Sequence, residues 1–269
     1  MKLIARRTLL AGGAALASTS VSTRLWAAPP QPWIAYERRL RGLLDDPPGG
    51  DFDPDFEETL LDLNNIFRRR QGPAPLAWDR GLCLAARAHA ADMARTEVFD
   101  HVTREGYSPA SRVGLLARDL VGAPGENIAM RLNASGAVTA DQIMGQWRTS
   151  PGHRANLLAP GFTHVGYGVL RQGPRVIAVG AYAEVAARLA GPAPLRVRAV
   201  DEIARALSNA APAIRQFSVS EPGGEVLTTT YVEGRSPNLL QPGAWQLRPH
   251  LSSGEHRYQV AWGPVFVLG

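Results

Sequence analysis

The sequence predicts an α+β fold: a layered domain of helices closed by strands, then a small, mainly antiparallel β module. Three observations carry this. Apolar residues recur at helical spacing in three stretches between Phe56 and Trp147. Two β-like runs, Phe162 to Leu170 and Arg175 to Val185, follow them. Beyond Ala190-Gly191-Pro192-Ala193-Pro194, a linker signal, short β-like runs are separated by turn residues.

Residues 1–28 have the pattern of an export signal. Lys2, Arg6 and Arg7 precede an uncharged, Ala/Gly-rich stretch from Thr8 to Val21, and Ala27-Ala28 offers small residues for cleavage. Arg6-Arg7-Thr8-Leu9-Leu10 resembles a twin-arginine signal. The stretch is too short and too rich in Gly, Ser and Thr to span a membrane, so no transmembrane segment is expected in the mature chain. Residues 29–54, rich in Pro, Gly and Asp, read as a linker with a short helix around Trp33 to Leu44.

The layered domain is expected over 55–188. Leu60, Leu63, Ile66 and Phe67 mark its first helix, stopped by Gly72-Pro73, with Arg68-Arg69-Arg70 as a solvated end. Asp79 caps a second helix whose stripe is Leu82, Ala85, Ala86, His89, Ala90 and Met93, with His89 a core histidine. A third helix, Val138 to Trp147, breaks at Ser150-Pro151-Gly152. The module over 195–269 holds one helix, Val197 to Asn209, and β-like runs from Ile214 to Leu268.

The chain has 29 basic and 24 acidic residues, but four of the bases and none of the acids lie in 1–28. The mature part is therefore close to neutral, which argues against nucleic-acid binding. Cys83, the single cysteine, can form no intramolecular disulfide and sits in an apolar helical run as a buried, inert thiol.

Six ordered blocks carry a resemblance. They are Asn64-x3-Arg68-x3-Gly72-x3-Leu76-x-Trp78-Asp79; Ala86-x2-His89-x2-Asp92-Met93; His101; Gly125-Glu126-Asn127; Trp147-x2-Ser150-Pro151-Gly152-His153-Arg154-x-Asn156-Leu157-Leu158; and Thr163-His164-Val165-Gly166. In this order they resemble the bacterial type of the CAP superfamily, the SCP domain of cysteine-rich secretory, antigen 5 and pathogenesis-related proteins. The resemblance implies an α-β-α sandwich with a His- and Glu-lined cleft, and a secreted protein. In some members it implies sterol or fatty-acid binding, in others contact with proteins or the cell wall.

His101 and Glu126 are the residues carried over to the cleft. A carboxylate beside an imidazole can share a proton, orient the ring or supply two metal ligands. The animal and plant pattern adds a second Glu three residues after the tryptophan and a second His two before the threonine. Here those positions are Ser150 and Gly161. His153 or His164 could enter instead, although strand alternation turns His164 away. Asn127 is expected to fix a turn beside Glu126, Arg154 and Asn156 to hold a loop over 150–158, and Trp78 and Trp147 to be core aromatics.

Three functions follow as expectations. The first is an exported, periplasmic or extracellular, non-catalytic binding domain for a small apolar ligand, a cell-envelope component or a protein. It needs no cofactor, and the chain has no Gly-x-Ser-x-Gly elbow. The second is a hydrolase with His101, Glu126 and His153 around a divalent metal such as zinc. The third gives the C-terminal module the docking role.

Overall fold

The computed structural model describes residues 32–134, 136–227, 229–232, 240–254 and 257–269, with backbone alone at 253–254. The expected export signal lies outside the described residues. The chain runs α1 (Pro32–Asp45), β1 (Asp51–Phe52), α2 (Pro54–Gln71), β2 (Ala77–Trp78), α3 (Arg80–Thr96), α4 (Pro109–Leu116), β3 (Leu120–Leu132), α5 (Ala140–Thr149), α6 (Pro151–Leu158), β4 (His164–Gln172) and β5 (Arg175–Arg188). Then come β6 (Arg196–Val197), α7 (Val200–Ser208), β7 (Gln216–Ser220), β8 (Tyr231–Val232), β9 (Gly243–Gly254), β10 (Arg257–Val260) and β11 (Val265–Leu268).

The first sheet has the order β1-β4-β5-β3, with β2 on the edge of β4. The long β3–β5 and β4–β5 pairs are antiparallel. Because successive side chains of a strand point to opposite faces, β5 feeds two cores. Ile177, Val179, Ala181 and Ala183 meet α1, α3 and α4 on one face. Val176, Ala178 and Tyr182 meet α2, α5 and α6 on the other. This is the α-β-α sandwich. Two glycines of β4 let α3 approach closely: a Cβ on Gly166 would lie 2.0 Å from the Cys83 amide nitrogen, and one on Gly168 2.1 Å from that of Arg87.

Helix starts follow their caps. Asp53 accepts from the Phe56 amide with Pro54 opening α2, and Asp79 accepts from Leu82 ahead of α3. Thr139 and Gln142 form a capping box on α5.

The second sheet, β6-β11-β9-β7-β8 with β10 on β9, is antiparallel except for β6–β11. α7 covers it through Val200, Ile203 and Leu207, against Phe217, Val219, Leu247 and Phe266. Val121 of β3 and Ala187 of β5 join that core, and Val265 joins the first. Buried Arg118 donates to the Val265 and Ala193 carbonyls, stitching the two sheets together.

Four local expectations are corrected. Residues 150–158 are not a loop: Ser150 ends α5, and Pro151, whose missing amide costs nothing at a helix start, opens α6. Glu126 and Asn127 lie in mid-strand, opposite Ala181 and Gly180, not at a turn. Arg68 is fully buried, donating to the carbonyls of Ala74, Leu157, Ala159 and Phe162. Trp78 is 39% exposed because β2 is an edge strand, whereas Trp147 is fully buried and its indole N–H donates to the Ile128 carbonyl.

Candidate functional site

Glu126 reaches the cleft from β3, His101 from the loop between α3 and α4, and Arg112 from the first turns of α4. Ser108 caps α4 by accepting from the Ser111 amide, and Pro109 follows it. That start turns Arg112 inward, where it is 1% exposed. α1 braces the loop from outside: Tyr36 stacks on Tyr107 at 3.7 Å between ring centroids, and Arg39 pairs with Glu105 at 2.8 Å.

The carboxylate of Glu126 is divided between two partners. Oε1 accepts from His101 Nδ1 at 2.8 Å, and Oε2 accepts from an Arg112 terminal nitrogen at 2.8 Å. The same Arg112 nitrogen donates to the His101 carbonyl at 2.7 Å, and the other to Tyr107 at 3.1 Å. One guanidinium thus fixes the carboxylate and the loop that presents the imidazole. His101 Nδ1 is committed, and no described residue bonds Nε2, on a side chain that is 43% exposed.

Burial alone would raise the Glu126 carboxyl. Arg112, with His89 and His101, overcomes this and holds it at about 2. The hydrogen bond to Glu126 raises His101. Burial lowers His89 to about 3. His89 Nε2 lies 3.7 Å from Glu126 Oε1, but this is not an ion pair: the ring is neutral and donates to the Asp100 carbonyl at 3.0 Å. Burial also lowers His153, helped by the charge on His101.

The cleft beside His101 and Glu126 has a volume of about 460 Å³. Ser108, Pro124 and Gly125 line it from the first sheet and α4, and Gly223 and Trp262 from the C-terminal module.

The other expected site residues lie at varying distances from it. The His153 ring centroid is 6.4 Å from that of His101, and its carbonyl accepts from Asn127. Asn156 donates to the Glu126 carbonyl and to Asn127 Oδ1, tying α6 to β3. Ser150 stands between two helices and caps neither through its side chain. His164 bonds Thr163 and sits near Arg188 and Asp79, outside the cleft lining.

His101, Glu126 and His153 do not fit a metal. Both Glu126 oxygens already accept hydrogen bonds, one from a buried cation that would face the ion. Among the described residues no three His, Cys, Asp or Glu side chains are grouped to hold one. Cys83 is buried, and burial pushes its thiol up to about 12, so it is inert.

The residues not anticipated are Arg112, Ser108, Gly223 and Trp262. Arg112 carried a signal: a lone charge beside Val113-Gly114-Leu115-Leu116, just after a Ser-Pro helix start, demands a buried carboxylate. Gly223 and Trp262 carried none, because only tertiary packing brings them to the cleft.

Comparison with known proteins locates this arrangement. The profile of CAP, the cysteine-rich secretory protein family, matches residues 61–182. The chain is 36% identical over 118 residues to the uncharacterized protein YkwD of Bacillus subtilis (strain 168), covering 44% of each chain. It is 35% identical over 116 residues to the uncharacterized membrane protein YlbC of the same organism, covering 43% of this chain and 32% of that one. The chain thus spans less than half the length of these curated relatives. An extracellular protein containing a SCP domain, from Bacillus anthracis str. Ames, superposes with a TM-score of 0.41 at 28% identity, covering 49% of this chain and 41% of that one. The matched segment holds His101, Arg112, Glu126 and His153 and leaves out α1 and everything after β5. Residues 61–182 are therefore the part of the chain that matches the CAP domain of the cysteine-rich secretory protein family.

Proposed function

We propose that this chain is exported to the periplasm or beyond, and that its CAP domain is a non-catalytic binding domain whose recognition end is His101 on Glu126. The observation that carries this is the saturation of Glu126. Its two oxygens are held by Arg112 and His101, so it serves neither as a free base nor as a metal ligand. Its effect is to orient His101 and leave Nε2 to a ligand, as acceptor when the ring is neutral and donor when it is protonated. Ser108 Oγ, a hydroxyl in the lining, is engaged as the α4 cap and with Ser111 Oγ, which favours binding over nucleophilic chemistry.

Export is supported by the basic start, the Arg6-Arg7 pair and the Ala27-Ala28 site. Among the described residues no helix is long and apolar enough to cross a membrane. The test is cell fractionation, followed by native mass spectrometry of gently purified envelope protein beside His101→Ala. The expected result is an adduct on the wild type that is lost in the variant. The same adduct on both, or a cytosolic protein, overturns the reading.

A lipid-like ligand is favoured by a different feature, a mainly apolar groove of about 370 Å³ lined by Met93, Phe99, Met130 and Leu132, together with Glu97 and Arg175. Phe99, Met130 and Leu132 are 43%, 42% and 68% exposed, a cluster of the kind that marks binding surfaces. Leu132→Asp, at so exposed a position, should leave the fold intact and abolish binding of a fluorescent fatty acid. Unchanged binding removes the groove as its site.

A further inference from the structure

We propose that Trp262 of the C-terminal module is a ligand-contacting wall of the His101 cleft, and that the cleft takes a saccharide ring, with the ring's C–H face on the indole and its rim oxygens on His101. This rests on the cleft being the binding site and names its ligand class.

The geometry begins with a backbone bridge. The Gly122 amide donates to the Trp262 carbonyl at 2.8 Å, and the Trp262 amide to the Gly122 carbonyl at 3.2 Å. Gly122 belongs to β3, four residues before Glu126, so the bridge fixes Trp262 along the strand that carries the carboxylate. The indole is fixed as well. The Arg248 guanidinium lies over it at 3.6 Å from the ring centroid. Arg248 is itself 7% exposed and donates to the Ala261 and Gly224 carbonyls. One face of the ring is thereby covered, and the half-buried remainder borders the cleft.

The facing lip is equally fixed. Gly223, at φ +79°, donates to Gln246 Oε1 at 2.8 Å, and Gln246 Nε2 donates to the Gly263 and Ala110 carbonyls. A Cβ on Gly223 would lie 3.0 Å from Ser108 Oγ. The module therefore abuts the start of α4 and closes that side of the cleft with backbone.

The lining selects the ligand class. Among the described residues around the cleft there is no Leu, Ile, Val, Met or Phe, so an acyl chain has no bed. What the cleft presents is a pre-positioned aromatic surface, an imidazole nitrogen and small residues. An aromatic body beside a few placed polar groups suits a flat ring with one C–H face and a hydroxylated rim.

The test is titration of the full mature chain with N,N′,N″-triacetylchitotriose, read by ¹H–¹⁵N spectra. The Trp262 indole signal is assigned by its loss in Trp262→Phe. The expected result is movement of that signal, affinity about tenfold lower or worse in Trp262→Ala, a smaller loss in Trp262→Phe, and a loss in His101→Ala. If His101→Ala weakens binding while Trp262→Ala does not and the indole signal stays still, the wall is overturned and the cleft reading stands. If the sugar binds and neither variant matters, both fall. If the wild type binds no sugar, the saccharide class is overturned, and the adduct experiment above judges the cleft by itself. The indole shift is read on the wild type, so a misfolded variant cannot mask the outcome.

Discussion

Two buried glutamates, one on α2 and one on β3, are each paired with an arginine, and only one of them makes a site. Glu57 of α2 is 1% exposed and takes both nitrogens of an Arg87 fork, at 2.8 and 2.6 Å, plus the Val169 amide at 3.0 Å. Every partner is structural: the trio ties α2, α3 and β4 together. Glu126 gives one oxygen to Arg112 and the other to an imidazole whose second nitrogen no described residue bonds. The electrostatics diverge accordingly. Burial outweighs Arg87, whose side chain is 25% exposed, and raises the Glu57 carboxyl. Arg112 is 1% exposed, and with the two histidines it drives Glu126 down to about 2. A buried acid becomes a site element when one of its partners has a second, unused valence facing space.

The largest effect expected from this contrast comes from removing each arginine. Arg112→Ala strands a fully buried carboxylate and frees the His101 loop, and should cost about 3–5 kcal/mol. Arg87→Ala leaves Glu57 a route to water through the space the half-buried arginine vacates, and should cost roughly half that. Chemical denaturation of the two variants measures both. Equal losses would erase the distinction between the pairs.

Acid should separate the pairs next. Glu126 has a folded pKa of about 2 against an ordinary 4.5. Its contribution is present above 4.5 and lost as pH falls toward 2, a change of about 3 kcal/mol. His89, lowered to about 3 from 6.5, acts in the same direction: the unfolded chain binds its proton first, so stability falls from pH 6.5 downward. Glu57, raised, has the opposite sign and gains stability on protonation. Thermal unfolding between pH 7 and 3 should therefore be less acid-sensitive than wild type in Glu126→Gln and more so in Glu57→Gln. Parallel curves would show that neither glutamate titrates as assigned.

The contrast also explains what the sequence disclosed. The helices were legible because their caps and stripes are local: Asp79, and the row from Leu82 to Met93, state α3 outright. His101 and Glu126 were legible only through the ordered blocks around them, since 25 residues separate the pair and no local period joins them. Strand β3 was hidden because an Asn beside Glu126 suggests a turn, whereas β5 pairs with both residues within one long strand. Arg68 misled because a triple arginine is normally solvated; its first member satisfies four carbonyls from two loops and a helix end. Trp262 was out of reach, because the cleft wall it forms depends on how two sheets pack.

The smallest effect is also the sharpest test of the comparison. His101 is raised first by its hydrogen bond to Glu126, while His153, 6.4 Å away between ring centroids, is lowered by burial. The two rings should titrate on opposite sides of 6.5 in histidine-selective NMR. In Glu126→Gln the His101 value should drop, and in Glu57→Gln it should not move, because Glu57 belongs to the other network. The sign of the stability effect follows: what protonated His101 contributes is present below 6.5 and fades as pH rises through its raised folded value. His101→Ala should therefore remove a small, alkali-sensitive increment of about 1 kcal/mol or less, since the ring is 43% exposed, and yet abolish ligand capture. A His101 that titrates at 6.5 in the wild type and ignores Glu126→Gln would mean the 2.8 Å bond does not orient the ring in solution, and Glu126 would then be as purely structural as Glu57.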